Sequence, residues 1–393
     1  MGAARFDLDT LLDTAATVTG ALDIMLGRAG DDGAAPAWVK QRGWEGWLAG
    51  LADDALLHAE QHGLSVDTTM PDSLARFLTD VRRACVVPHL VTPSGRAEEL
   101  HHAGAAKRQQ VAAFVLACES RALHPSRVVD VGSGHGHLTR ELARTWDAEA
   151  LGLENNEALL EKARGMTMPG RVEYLHVNAL ETLPTAGLGD LWVGLHACGA
   201  LGDTLVTHGA RATVPVALVG CCPQKIPTAQ RAGFHPATPA LPRGALGLAN
   251  VTPRSLGVEV DQAVDRAARL ARLAVRLVLR RHGQDVAPGQ EMAGLNRRVA
   301  RHGPHILARA VFEHAGLPPP ALEVVDAALC EAAPLQAAMR RWDLPRAALG
   351  RAVEVLLARD RAWVLANAGM TVDLGTFVEP EVSPRNLMVV ARP

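Results

Sequence analysis

The apolar positions of this chain follow three rhythms in turn. Up to about residue 104 they recur every three or four residues, near 7–28, 44–62 and 73–86, which predicts helices broken at DDGAAP (31–36) and over 87–98. Asp72-Ser73 has the form of a helix start. Trp38, Trp44 and Trp47 fall at packing spacing and are assigned to a core rather than to a binding platform. From about 105 the rhythm changes. A helix at 105–123 leads into short unbroken apolar runs: RVVDVG (127–132), AEALGLE (148–154), RVEYLHVNA (171–179), DLWVGLHA (190–197) and PVALVGC (215–221). Unalternating apolar strands separated by helices are what a parallel sheet covered on both faces requires. Helical spacing returns over 227–370, around 261–282, 290–316, 321–331 and 344–369, with PPP (318–320) as a loop. TVDLGTFV (371–378) and NLMVVARP (386–393) then read as the last strand pair of an interrupted sheet.

The expected fold is therefore α/β, a Rossmann-like sheet of seven strands. Its parts are a helical N-terminal region (1–104), a core (105–226), a helical insertion capping the substrate side (227–370) and a closing strand pair (371–393). A chain of 393 residues, 48% hydrophobic and 21% charged, can bury such a core and is not a disordered tail. A net charge of -2 removes the general electrostatic case for nucleic-acid binding and leaves only a local basic patch to argue it. The six cysteines (85, 118, 198, 221, 222, 330) do not read as a disulfide framework, no secretory segment precedes them, and no run of 18 apolar residues occurs. A cytoplasmic, reducing setting without a membrane anchor is expected.

The chemistry begins at VVDVGSGHGHL (128–138). Gly132, Gly134 and Gly136 follow an apolar strand and precede a helix starting near His137. Glycines allow a sharp turn and close backbone approach to a ligand, and the helix start offers unpaired N–H groups. Glu154 ends the next strand, where a carboxylate accepts hydrogen bonds from ribose hydroxyls. A dinucleotide site would place its third glycine three positions on. Here the spacing is D-x-G-x-G-x-G from Asp130, the pattern of class I methyltransferases, so S-adenosylmethionine is the expected cofactor. Asn178, after the third strand, stands where such enzymes meet the adenine edge; read alone, it is a turn residue.

Further along, LWVGLHACGALGD (191–203), LVGCCPQK (218–225), LLARDRAWVLANAG (356–369) and FVEPEVSPRNLMVVARP (377–393) resemble a specific group. It is the family of methyltransferase-like proteins that includes the ribosomal-RNA-adenine-dimethylase-domain-containing protein. The resemblance covers about 105–226 and 350–393, and implies a class I methyltransferase. Pro223 replaces the family's frequent tyrosine, and Lys107-Arg108-Gln109-Gln110 replaces its Lys-Lys-x-His-Glu-like helix. Adenine dimethylation is not carried over. Adenine N6 chemistry needs an acceptor for the amine protons and an aromatic face, and the sole tyrosine, Tyr174, lies in the third strand.

In such a sheet the fourth and fifth strands end side by side above the cofactor, so His196 and Cys198 converge with Cys221 and Cys222. His196 is the catalytic candidate, as general base or orienting group. For the cysteines three readings stand together: a covalent nucleophile, zinc ligands, or small residues packed at strand ends. Adjacent cysteines and an HxC…CC spacing argue against a metal, and none is expected. Lys107, Cys198, Cys221, Cys222, Arg385 and Asn386 form the substrate side. Arg385 is either a clamp for a phosphate or carboxylate, or a tie from its turn to Asp360 or Glu379. The function expected is methyl transfer to an RNA, protein or small-molecule acceptor. The alternative is an inactive cofactor-binding scaffold or RNA-processing subunit. Acceptor and oligomeric state are not encoded in these motifs.

Overall fold

The computed structural model describes residues 5–91, 105–166, 171–250 and 259–393. Seven strands form one sheet: β1 (Arg127–Val131), β2 (Glu149–Glu154), β3 (Val172–His176), β4 (Asp190–Cys198), β5 (Val216–Cys221), β6 (Thr371–Thr376) and β7 (Leu387–Arg392). Their spatial order is β3-β2-β1-β4-β5-β7-β6. The first five are parallel, and β7 runs antiparallel between β5 and β6. This is the Rossmann-like sheet that the apolar runs predict.

Strand side chains point alternately to the two faces, and both faces are dry. Val128, Leu191, Val193 and Ala217 pack under the helices Ala105–Glu119, His137–Trp146 and Glu157–Arg164. Val129, Val131, Trp192 and Leu218 face the opposite way, against the helix Ala200–Ala212 and Val355–Leu365 of a later helix. Each fully buried Val or Leu contributes about 1.5–3 kcal/mol, so double coverage explains why these strands tolerate almost no polar residue. Three carboxylates are exceptions: Asp130 in β1 is 2% exposed, Asp190 at the start of β4 3% and Asp373 in β6 1%. The strand order reverses between β1 and β4, and at such a switch point the crevice above the carboxyl ends is open to a ligand.

The chain divides into two compact units along lines different from the four segments expected. The first holds residues 1–25, 79–254 and 348–393; the second holds 26–78 and 255–347. Both ends of the N-terminal region thus belong with the sheet. Phe6 donates its N–H to Val372 and Leu90 donates to Thr376, so backbone from both sides covers the β6 edge. Residues 227–250 also stay with the sheet, as a two-residue ladder, a short helix and a 3₁₀ turn rather than the start of a helical insertion.

The second unit is helical, with a core of Leu273, Val278, Leu307, Phe312 and Val325. Of the three tryptophans assigned to a core, Trp38 and Trp44 are buried, and their indole N–H groups reach Gly27 O and Ser73 Oγ, whereas Trp47 stays partly exposed and donates to Thr69 Oγ1 at 3.1 Å. Two expectations fail. The segment 290–316 is α-helical only over Pro304–His314, after 3₁₀ turns at Gln290–Met292 and Arg297–His302. The segments at 321–331 and 344–369 are a single helix, Leu322–Asn367, with Pro334 and Pro345 inside it. Each proline removes a hydrogen bond and normally ends a helix, which is why the sequence pattern divides here.

Candidate functional site

β1 ends at Val131, and the loop that follows is held by β2. Gly132 and Ser133 donate their N–H groups to Leu153 O, and Gly136 donates to Ser133 O. Gly132, Gly134 and Gly136 all lie at positive φ (+79°, +56° and +69°), which side-chain-bearing residues rarely adopt. A Cβ on Gly136 would stand 2.0 Å from the Tyr174 hydroxyl, whereas one on Gly134 would meet nothing within 4 Å. The space over Gly134 is therefore open.

Glu154 closes the other side of this opening. Its carboxylate accepts from Gly134 N at 3.0 Å, and from Asn155 N and Asn156 N at 3.0 Å each. Asp130 does not reach the loop amides directly, as a loop-orienting role would suggest. Its Oδ2 accepts the Thr139 hydroxyl at 2.7 Å and so pins the first turn of the next helix to β1. Burial raises the Asp130 carboxyl to about 6, against the opposing pull of Thr139 and the Lys107 ammonium. Lys107 projects from the helix before β1 and interacts with both Asp130 and Cys221, and burial lowers its own pKa. It belongs to this end of the sheet.

Asn178 lies two residues beyond β3 and spends its side chain locally. Its Nδ2 donates to Glu181 at 2.6 Å, and its Oδ1 accepts from Leu180 N at 3.2 Å. This is an Asx-type turn. A groove of about 640 Å³ borders that turn, lined by Ala179, Leu183, Thr204, His208 and Phe234 among others.

At the ends of β4 and β5 the contacts are denser. β4 has a bulge between Leu195 and Ala197, and His196 sits in it at φ +71°. Its Nε2 lies 2.7 Å from Gln110 Oε1, while the Gln110 amide nitrogen faces Val382 O at 3.4 Å. With the amide so placed, Nε2 is the donor and Nδ1 carries the lone pair. Burial, together with the Lys107 and Arg385 cations, lowers the imidazole to about 4, so it is neutral at physiological pH. Such a ring orients a partner through Nδ1 and is a weak proton acceptor. Gln110 is not among the sequence candidates, since a lone amide on a helix carries no sign of its partner.

Cys198 and Cys221 are paired across the strands, with sulfurs 2.8 Å apart. Cys221 Sγ also lies 3.0 Å from His196 O. The Cys221 contact lowers Cys198 to about 6, with help from Lys225, whereas Cys221 is raised by the same contact and by burial. The Cys222 sulfur joins them, all three lying within 4.8 Å of one another. The cysteines thus converge as the strand order leads one to expect, with Cys222 leaving the extended alternation at φ +40°.

Arg385 and Asn386 are structural in their contacts. Arg385 donates to Ala249 O at 2.6 Å, to Glu354 at 3.5 Å and to the Asn250 side chain. The turn is thus tied down as one reading expected, but not through Asp360 or Glu379. Asp360 instead pairs with Arg231 at 2.8 Å. Asn386 donates to Val378 O at 3.1 Å and is 3% exposed.

Beneath these ends lies a buried ion network. Arg231 binds Asp203 through Nε and Nη2 (2.8 and 3.0 Å) as well as Asp360, and Arg361 joins Asp203 to the Gly199 carbonyl at 2.8 Å each. Burial works to raise the Asp203 carboxyl, yet the two guanidiniums hold it below its ordinary value.

Residues 106–229 match a family described as "Methyltransferase domain". That description is coarser than the narrower family resembled by the HACG, GCC and SPRN motifs, and the narrower likeness stays with the motifs alone. Among solved structures, the chain is similar to a S-adenosylmethionine dependent methyltransferase from Mesorhizobium loti (23% identity, 29% of this chain, 53% of that chain, TM-score 0.23). It is also similar to the plantazolicin methyltransferase BpumL in complex with a triazolic desmethylPZN analog and SAH (11% identity, 28% of this chain, 46% of that chain, TM-score 0.24). A third is the methyltransferase domain of bacterial CtHen1-CN (15% identity, 29% and 65%, TM-score 0.24). The matches span about half to two thirds of those chains. Among the described residues, no helix is long and apolar enough to cross a membrane.

Proposed function

We propose that the chain transfers the sulfonium methyl group of S-adenosylmethionine to a nucleophilic acceptor. The carrying observation is the Glu154 carboxylate, 3.0 Å from the Gly134 amide, beside a loop open above Gly134 at the switch point of the sheet. Glu154 takes the ribose hydroxyls, and the loop of Gly132, Gly134 and Gly136 faces the methionine end. Asp130 fixes the loop indirectly, through the helix it pins. Asn178 shapes the adenine side by setting its turn. The match of 106–229 to a methyltransferase domain supports the same reading.

The sulfonium is already activated, so the chain mainly aligns the acceptor. An acceptor lone pair attacks the methyl carbon, the methyl–sulfur bond breaks with its electrons left on sulfur, and the acceptor proton leaves to water. His196, neutral and fixed by Gln110, orients the acceptor through Nδ1. Lys107 stands at the same end of the sheet, while Arg385 and Asn386 hold the β6–β7 turn. The acceptor is an RNA, a protein or a small molecule.

Calorimetry with S-adenosylhomocysteine on the full chain is the first test. One site per chain is expected, abolished in Gly134→Arg with the circular dichroism spectrum retained; no binding to the wild-type chain removes the proposal. Tritiated methyl transfer in cell extract, with Gly134→Arg as control, is the second. Cofactor binding without loop-dependent labelling replaces the enzyme with a binding scaffold. Nuclease sensitivity of the label separates RNA from protein acceptors.

A further inference from the structure

The geometry points to a three-thiolate site for a thiophilic divalent cation, Zn²⁺ foremost, formed by Cys198, Cys221 and Cys222 at the carboxyl ends of β4 and β5. The inference is independent of the methyl-transfer reading. Each residue offers one sulfur, and the three lie within 4.8 Å of one another. Soft thiolates select such ions, and three protein ligands leave a fourth position for water or another ligand.

The backbone is arranged for this convergence. Cys198 and Cys221 occupy facing positions in the parallel register. An extended chain would send the Cys222 side chain to the opposite face from Cys221, yet Cys222 lies at φ +40° and its sulfur joins the other two. A side-chain-bearing residue in that region costs about 1 kcal/mol and persists only where its surroundings impose it. They do so here. Gly199 N donates to Cys221 O, Lys225 N to Cys222 O and Ala200 N to Lys225 O, each at 3.0 Å, and Arg361 holds the Gly199 carbonyl at 2.8 Å.

Charge is matched as well. Three thiolates around a divalent ion carry one net negative charge, and the Lys225 ammonium acts on Cys198 from nearby. The Cys198 and Cys221 sulfurs lie 2.8 Å apart. Zinc–sulfur bonds of about 2.3 Å in a tetrahedron set sulfurs about 3.8 Å apart, so binding opens this pair by about 1 Å, within reach of a side-chain rotation.

The test uses the full chain, purified under reductant without chelator. Elemental analysis is expected to find one zinc per chain. After chelation, Cd²⁺ titration is expected to restore one ion per chain with a thiolate-to-cadmium absorption band. Cys222→Ser and, separately, Cys198→Ser should each weaken cadmium binding about 100-fold, as expected for loss of one of three thiolates, while Cys330→Ser leaves it unchanged. A thiol-reactive dye supplies a readout that does not depend on variants: three of the six cysteines should become reactive only when the ion is stripped. No cadmium uptake by the reduced wild-type chain, uptake unchanged in both single variants, or dye reactivity indifferent to the ion overturns the assignment.

Discussion

At the carboxyl end of β1 the geometry is carried by backbone. Three glycines at positive φ, two loop amides on Leu153 O and one carboxylate make the opening, and all come from the 28 or so residues between Val128 and Asn155. One strand over, at the ends of β4 and β5, it is carried by side chains from across the chain. Gln110 fixes His196, Glu354 and Asn250 hold Arg385, and Arg361 holds the Gly199 carbonyl. The first region is local and spare; the second is long-range and crowded. A local arrangement leaves a spacing pattern in the sequence, whereas a long-range one leaves only isolated polar residues in apolar segments.

If the β4–β5 end depends on its buried ions, the largest loss should come from a residue far from any motif. Arg231 is 6% exposed and neutralises Asp360, which is fully buried. Arg231→Met should lower unfolding free energy by about 3–5 kcal/mol in urea titrations, because it strands a buried carboxylate. A loss below about 1 kcal/mol would mean that Arg361 and the backbone amides suffice, and the contrast between the two regions would weaken.

The glycine loop should respond by position instead. Gly136→Ala drives a methyl into the Tyr174 ring, 2.0 Å from its hydroxyl, and also sits at φ +69°. Overpacking and left-handed strain together predict a loss of about 3 kcal/mol. Gly134→Ala has only the strain, about 1 kcal/mol. Thermal or urea unfolding of the two variants reads the difference, and equal losses would show that the space above Gly134 is not open.

Asp130 adds a pH signature to the same region. Its carboxyl is raised to about 6 from an ordinary 3.8, so between these values the native chain keeps a proton that the unfolded chain has released. Stability from this group is full below about pH 4 and is lost as pH rises through 6, a fall on the order of 2–3 kcal/mol. In Asp130→Asn that slope should disappear from urea midpoints taken across the window. An unchanged slope would assign it to other groups.

The same division explains what was legible in the sequence. The first five strands, their parallel arrangement and the Gly132–Gly136 loop follow from unbroken apolar runs and glycine spacing, which are local properties. The continuity of Leu322–Asn367 through Pro334 and Pro345 is not local, since the packing of Val325, Ala328, Val355 and Leu365 in two separate cores sustains it against the prolines. Nor is the covering of β6 by Phe6 and Leu90, whose pairing joins residues nearly the whole chain apart. At the site, Asn178 and Arg385 were each open to two readings from residue type, and only their partners (Glu181 and Leu180; Ala249, Asn250 and Glu354) distinguish them. The place of Cys222 beside Cys198 and Cys221 follows from strand order, whereas its φ of +40° has no signal in residue spacing.

The smallest effect expected bears on how the two ends cooperate. Gln110 comes from the helix before β1 but acts on β4, where its Oε1 faces His196 Nε2 at 2.7 Å. That bond selects the tautomer with a free Nδ1. Without it the proton can move to Nδ1 and the ring can turn in its bulge, so an acceptor aligned through Nδ1 loses its orientation while the loop at Gly134 is untouched. Gln110→Leu keeps the bulk and removes the bond. It should lower kcat up to about tenfold, or about 1.4 kcal/mol of barrier, with little change in S-adenosylhomocysteine affinity. Loss of affinity in step with kcat would make Gln110 a packing residue shared by both ends. An unchanged kcat would release His196 from the orienting role.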